Sequence, residues 1–256
     1  MSPSKPDLDR VVSETFIGRA EYHPVLASTN DRARECAGRV AEALPLLIVA
    51  DRQTAGRGRG ANRWWTGSGS LAMSLLLEAA APETQTARSP LLGLAAAVAV
   101  VETVGPLLAG HAVGLHWPND VFAAGRKLAG ILAEVPANRR RIVGIGLNTN
   151  SRLADAPPEL RRTATTLLEL TGRRHDHTEI LIELLGHLER LLRQLASRPE
   201  QIASRAGRLC LQVGQPITIR LGSSTATGRC AGIAPDGALL LETPDGPRKC
   251  YSGTLV

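Results

Sequence analysis

The sequence predicts an α+β protein, a mixed β-sheet flanked by helices and followed by a small all-β barrel. Three observations carry this. Between residues 13 and 207, strand-length apolar runs and helical periods succeed one another without strict β-α-β alternation. From about residue 208, short apolar segments are separated by Pro235-Asp236-Gly237 and Pro244-Asp245-Gly246. Hydrophobic residues are 43% and charged residues 21% of 256, enough for the chain to bury its own core. The predicted organisation is a disordered tail over 1–12, a main domain over 13–207 and a β-module over 208–256.

The elements follow in order. Ser28-Thr29-Asn30-Asp31 resembles a capping box, and Ala33, Cys36, Ala37 and Val40 recur behind it at helical spacing. Leu46–Ala50 is a strand-length apolar run, 51–70 a Gly- and Arg-rich loop, and Leu71–Leu77 another strand. Pro90 opens a helix over Leu91–Val104 that is apolar on nearly every face and therefore buried on both sides. Val113–Trp117 reads as a strand stopped by Pro118. Val121–Phe122 and Leu128–Val135 flank Ala124-Gly125-Arg126 as a hairpin, and Arg141–Leu147 is a further strand. From Glu179, seven leucines between Leu181 and Leu195 fall on one helical face. The C-terminal strands are expected at Ile217–Leu221, Thr225–Ile233, Ala238–Leu241 and Lys249–Tyr251.

Composition narrows the function classes. The formal charge of +6 raises nucleic acid as a partner. Of 30 basic residues 27 are Arg, and the three lysines are Lys5, Lys127 and Lys249, so a mid-chain lysine has few interchangeable neighbours. No apolar run reaches the roughly 18–20 residues expected of a membrane span. The N-terminus lacks the pattern of a signal peptide. Four widely spaced cysteines, 36, 210, 230 and 250, form no CxxC pair, which leads us to expect thiols in a reducing cytoplasm and no zinc site. His175-x-His177 beside Asp176 reads as a polar loop.

Three segments carry chemistry. In Gly56-Arg57-Gly58-Arg59-Gly60-Ala61-Asn62-Arg63-Trp64, glycines allow close backbone approach and arginines add fixed charge, which suits an anionic ligand, a nucleic acid or a solvated linker. His116-Trp117-Pro118-Asn119-Asp120 sets polar side chains at a strand end, where Asp120 either closes a turn or binds a metal or substrate group. In Lys127-Leu128-Ala129-Gly130-Ile131-Leu132, a lysine precedes an apolar strand whose Gly130 invites a ligand or backbone to come close.

Together these segments resemble the biotin–protein ligases. The resemblance runs from Ser28-Thr29-Asn30 through 51–59, Trp64, Trp117-Pro118-Asn119-Asp120 and 127–132 to Gly144-Ile145-Gly146-Leu147-Asn148 and the C-terminal module. It implies a class II synthetase-like catalytic domain with an SH3-like barrel. It also implies a chemistry: biotin and ATP give biotinyl-5′-AMP and pyrophosphate, and the biotinyl group then passes to one lysine of a biotin carboxyl carrier protein, such as that of acetyl-CoA carboxylase. By resemblance, Ser28, Thr29, Asn30, Gln53, Gly56, Arg57, Gly58, Lys127, Gly130 and Ile131 border biotin. Arg57, Arg59, Trp64, Asn119, Lys127 and Asn148 meet ATP or the adenylate. Lys127, Arg59 and Asp120 are the catalytic set, with Asp120 as the Mg²⁺ candidate.

One departure stands out. The family carries a basic residue before Trp-Pro-Asn-Asp, and this chain has His116, neutral at pH 7 unless its pKa is raised. Regulatory members carry an N-terminal helix-turn-helix. Fewer than 30 residues precede Ser28 here, so no specific DNA binding is expected, and no membrane partner. The resemblance admits a monomer or a homodimer. The competing readings are a lipoate- or octanoyl-type ligase of the same fold, a non-catalytic biotin sensor, and a basic nucleic-acid module, which leaves Lys127 unexplained.

Overall fold

A computed structural model describes residues 5–39, 43–79 and 90–256. The strands of the main sheet are β1 (Arg19–Leu26), β2 (Leu46–Gln53), β3 (Leu71–Leu77), β4 (Val113–His116), β5 (Asp120–Ala123), β6 (Arg126–Glu134) and β7 (Arg141–Leu147). The helices are α1 (Leu8–Glu14), α2 (Thr29–Ala37), α3 (Pro90–Val104), α4 (Pro158–Thr163), α5 (Leu167–Thr171), α6 (His177–Ser197) and α7 (Pro199–Leu209). The sheet order is β1-β2-β3-β7-β6-β5-β4. The pair β1–β2 is parallel, with α2 as its crossover, and the other neighbouring pairs are antiparallel. A mixed sheet flanked by helices is the class that the sequence predicts.

Position in the sheet follows composition. β3 is apolar apart from Ser74 and buried on both faces, as a central strand must be. β1 is polar, carries Pro24 and lies at an edge, where proline is tolerated; its register passes from His23↔Ala50 to Val25↔Arg52. Between β5 and β6, Ala124 and Gly125 both take positive φ, 49° and 75°, which a two-residue hairpin turn requires.

The two faces of the sheet are covered unequally. On one, Leu47, Val49, Met73, Leu75, Val143, Ile145 and Ala129 pack with α3 and with Leu181, Leu184, Leu188 and Leu191 of α6. α3 lies between the sheet and α6, which is why it is apolar all round. By length and composition Pro90–Leu108 could cross a membrane, a length the sequence reading did not credit, yet 72% of it is buried inside the protein. On the other face Ala33, Cys36 and Ala37 of α2 cover Leu46, Ile48, Leu76 and Ile142. The rest of that face, toward Ser74, Gly144, Gly146 and Gly130, borders a cleft.

The C-terminal module corrects the predicted barrel. Strands β8 (Pro216–Leu221), β9 (Ser224–Ile233), β10 (Leu239–Thr243), β11 (Gly246–Cys250) and β12 (Thr254–Leu255) form an open antiparallel sheet in the order β11-β10-β9-β8-β12. A barrel closes only when its two edges pair. Here β11 pairs with β10, and β12, two residues long, pairs with Arg220 and Ile219 of β8. The SH3-like barrel is therefore not formed, whereas the α+β class stands.

Smaller differences have local causes. Leu8–Glu14 is helical where a disordered tail was expected; Asp7 accepts the Arg10 N–H at 3.1 Å, and Val11 is fully buried in the main core. Residues 1–4 and Val40 lie outside the described residues. β1, α7 and the short α4 and α5 were not predicted: β1 and α7 are rich in polar residues, and α4 and α5 are too short to show a period.

Candidate active site

The cleft has a volume of about 640 Å³ and a floor made of glycine. Register places Gly130 of β6 opposite Gly146 of β7, and Gly144 opposite both Ser74 and Leu132. Residues 144 and 146, two apart, share one face of the strand. A Cβ at Gly146 would stand 2.5 Å from Trp64 Cζ2 and Nε1, one at Gly130 would stand 3.0 Å from Trp64 Cζ3, and one at Gly144 would overlap the Asn30 amide. Bare backbone is what lets the Trp64 indole and the Asn30 side chain lie on the sheet.

The start of α2 forms one wall. Ser28 sits at the N-cap position in extended conformation, but its side chain makes no capping hydrogen bond. Gln53, at the end of β2, does that work instead. Its Oε1 accepts from the Thr29 N–H at 2.8 Å and lies 3.2 Å from Thr29 Oγ1, while its Nε2 donates to Thr66 Oγ1 at 3.2 Å. Ser74 Oγ lies 2.8 Å from Thr29 Oγ1 and 2.7 Å from Asn30 Oδ1. Ser28, Thr29 and Asn30 are all buried and line the cleft, a compact set of uncharged donors and acceptors.

The Arg/Gly loop also lines the cleft. It is closed by its own backbone, with Trp64 N–H on Gly56 O at 2.9 Å and Gly58 N–H on Asn62 O at 2.8 Å. Its arginines diverge. Arg57 bonds Glu134 through both nitrogens, at 2.9 and 3.1 Å, and Asp31 at 2.9 Å. Burial lowers the Arg57 pKa, and Glu134 and Asp31 outweigh it to hold the pKa above its ordinary value. Arg59 donates to Gly253 O at 2.5 Å, so the C-terminal module reaches the cleft. Burial pulls the Arg59 pKa down and Asp120 opposes it; a guanidinium stays charged all the same.

Lys127 and Asp120 meet across the β5–β6 pair, Nζ to Oδ2 at 2.7 Å. Lys127 Nζ also stands 5.8 Å from the centre of the Trp64 ring. Asp120 Oδ1 is buried with no hydrogen-bond partner, an acceptor held in reserve beside the lysine. Asn119 is a clasp: its Nδ2 donates to Ile131 O at 2.9 Å, and its carbonyl accepts the Ile131 N–H at 2.8 Å. His116 stacks on Phe122 with centroids 4.1 Å apart. Burial lowers its pKa, with Asp120 raising it and Lys127 lowering it, so His116 is neutral at pH 7. Asp120 is the one carboxylate among the lining residues, against Arg57, Arg59, Arg63 and Lys127.

Most of the residues singled out from sequence thus meet in one cleft: Ser28, Thr29, Asn30, Gln53, Arg57, Gly58, Arg59, Trp64, Asn119, Asp120, Lys127, Gly130 and Ile131. Gly56 lies behind it, where a Cβ would meet Trp64 O and Gln53 Nε2. Asn148 is buried outside the lining, its N–H on Leu128 O and its carbonyl taking the Leu167 N–H, both at 2.9 Å. Sequence reasoning missed Ser74, Glu134, the glycine floor as such, and Gly253–Leu255. The alternation of Gly144 and Gly146 within an apolar strand was the available signal for the floor. His175 and His177 form no metal cluster among the described residues; His177 Nε2 lies 2.7 Å from Thr149 Oγ1 inside the core.

With this geometry in view, comparison with known proteins is specific. Residues 22–150 match the Biotin/lipoate A/B protein ligase family, and 213–255 match the Biotin protein ligase C terminal domain. The chain is 36% identical to the bifunctional ligase/repressor BirA of Bacillus subtilis, over 91% of this chain and 72% of that protein. It is 34% identical to the biotin–[acetyl-CoA-carboxylase] ligase of Mycobacterium tuberculosis, over 93% of this chain and 91% of that one. Among solved structures, the biotin protein ligase of Aquifex aeolicus in complex with biotin and ATP superposes with a TM-score of 0.80 at 29% identity, over 93% of this chain and 97% of that one. A cleft floored by glycine, walled by Ser28-Thr29-Asn30 and rimmed by Arg57 and Arg59 sits in a chain matched at both ends, and the chain belongs to the biotin protein ligase branch of the biotin/lipoate A/B protein ligase family.

Proposed function

We propose that the protein activates biotin with ATP and transfers it to a lysine of a biotin carboxyl carrier protein. The observation that carries this reading is a cleft lined both by uncharged hydrogen-bonding groups, Ser28, Thr29, Asn30 and Gln53, and by the cations Arg57, Arg59, Arg63 and Lys127. A ligand with a neutral polar ring, a carboxylate and a polyphosphate fits that lining. Ser28, Thr29, Asn30 and Gln53 face the ureido ring, whose N–H and C=O groups match their hydroxyls and carboxamides.

In the first step the biotin carboxylate attacks the α-phosphorus of ATP, and pyrophosphate leaves with the broken P–O bond. Two anions must meet, which is costly without a cation between them. Lys127 is a compact ammonium already held in place by Asp120, and Arg59 presents a guanidinium to the phosphate side. In the second step the carrier lysine attacks the acyl carbonyl and AMP departs. Asp120 Oδ1 is the acceptor placed to take the amine's proton or to orient the amine. Trp64 closes the floor beneath the reacting groups.

A Mg²⁺ ion fits the donor set only through Asp120 together with substrate phosphates, a mode that ion favours, and when bound it would neutralise phosphate charge. We also propose a cytoplasmic setting, supported by four cysteines kept as buried thiols. The test is ATP–pyrophosphate exchange with biotin and lipoate offered separately. Exchange with biotin alone is expected. Exchange with lipoate alone would replace the reading with the sister chemistry, and tight biotin binding without exchange would make the protein a sensor.

A further inference from the structure

We infer that Glu134, outside the cleft lining, is a positioning residue that holds the Arg/Gly loop in its closed form and so sets how long the adenylate is retained. The inference rests on the functional reading above for its consequence, but not for its physical content.

Glu134 ends β6, on the same strand as Lys127 and Gly130. Its carboxylate is the meeting point of four donors. Oε1 accepts from Arg57 at 2.9 Å and Arg34 at 2.6 Å, and Oε2 accepts from Arg57 at 3.1 Å and Asn30 at 2.8 Å. The Arg57 pair is bidentate and its carboxylate is largely shielded, at 18% side-chain exposure. Geometry of that kind makes an ion pair count, where most exposed pairs contribute little.

The loop needs such an anchor. Gly60, Ala61, Asn62 and Arg63 are exposed, and its internal hydrogen bonds tie it only to itself. Apart from Trp64, its side-chain ties to the rest of the protein are the guanidinium of Arg57, drawn toward α2 and β6, and that of Arg59, drawn toward Gly253. Arg57 and Arg59 thus stretch the loop between two supports. Without the first, Arg59 is left to position the loop and hold a phosphate at once. Glu134 also grips Asn30, whose oxygen is within reach of Ser74, so the same carboxylate braces both Asn30 and the Arg/Gly loop.

Glu134→Gln keeps the shape and removes the charge. It also presents an N–H to guanidinium donors that cannot accept it. Two readouts follow. Hydrogen exchange of amides 57–63 in the ligand-free protein should accelerate about tenfold, the scale of one charge-assisted hydrogen bond lost while Asp31 remains. The half-life of bound biotinyl-5′-AMP should shorten by a similar factor, seen as biotinylation of lysines on a bystander protein. The first-turnover rate of adenylate formation should change by much less, a split that general loss of structure would not produce. Arg57→Gln should give the same exchange signature, and the double variant should fall short of the sum of the two single effects, since both remove the Arg57–Glu134 pair. If E134Q loses its far-UV circular dichroism, R57Q decides the matter alone. Wild-type exchange in the folded variants, or additive effects in the double, would overturn the inference. If the wild-type protein forms no adenylate from biotin and MgATP, the functional reading fails while the exchange comparison still stands.

Discussion

Gly146→Ala is a one-carbon test of the glycine floor. Its Cβ would lie 2.5 Å from both Cζ2 and Nε1 of Trp64, against an ordinary contact of 3.4–4 Å. The indole must therefore retreat by roughly 1 Å. It has little room to do so, because the Trp64 backbone N–H is fixed on Gly56 O at 2.9 Å and the ring also rests on Gly130. Overpacking of this size costs about 1–3 kcal/mol, and for a domain near this length each kcal/mol lowers Tm by about 2–4 °C. A displacement of about 1 Å beside reacting groups costs on the order of 10²-fold in rate. The assay pairs thermal unfolding with biotin-dependent pyrophosphate exchange. Gly186→Ala is the control: it lies in α6 with nothing within 4 Å of its Cβ position, and it should stabilise by about 1 kcal/mol with exchange unchanged. A G146A variant with wild-type Tm and wild-type exchange would refute the argument that bare backbone is needed beneath Trp64.

Three further predictions follow from the same geometry. Lys127→Ala should lower exchange by about 10³-fold, the size of one cation–phosphate interaction of about 4 kcal/mol near 4 Å at intermediate dielectric, with circular dichroism unchanged. Arg59→Gly should still form adenylate but release it, so that proteins other than the carrier are biotinylated; tight retention in that variant would count against Arg59 as the phosphate clamp. His177 is held neutral by burial, with its pKa below the ordinary 6.5, so the unfolded chain takes up a proton first as pH falls. Stability should be full above about pH 7 and decline below 6.5 by up to about 1.4 kcal/mol per pH unit, and the urea midpoint of His177→Gln should be less pH-dependent over that range.

How much was legible in the sequence depends on what each residue must do alone. Strands β3 and β7 and helix α3 are visible because burial on both sides demands runs that are nearly all apolar. β1 is not, because an edge strand half-open to water tolerates Arg19, Glu21 and Pro24. Arg57, Arg59, Asn119, Asp120 and Lys127 stood out because Gly/Arg, Trp-Pro-Asn-Asp and an isolated lysine are unusual strings. Glu134 was not found because a carboxylate at a strand end looks like any solvated charge until Arg57 arrives from another segment. Gln53 was given a ligand role, and the structure adds a second one, capping α2 across 24 positions of sequence in place of Ser28. The C-terminal strands were readable from their Pro-Asp-Gly turns. Whether their sheet closes depends on edge pairing, which alternation within a strand does not encode.

The opposed charges of Lys127 and Asp120 set in a basic cleft are the core of the account, and their product can be weighed directly. A biotin carboxyl carrier domain incubated with this protein, biotin and MgATP should gain the mass of one biotinyl group on a single lysine. An unchanged mass, or a gain obtained only when lipoate replaces biotin, would contradict it.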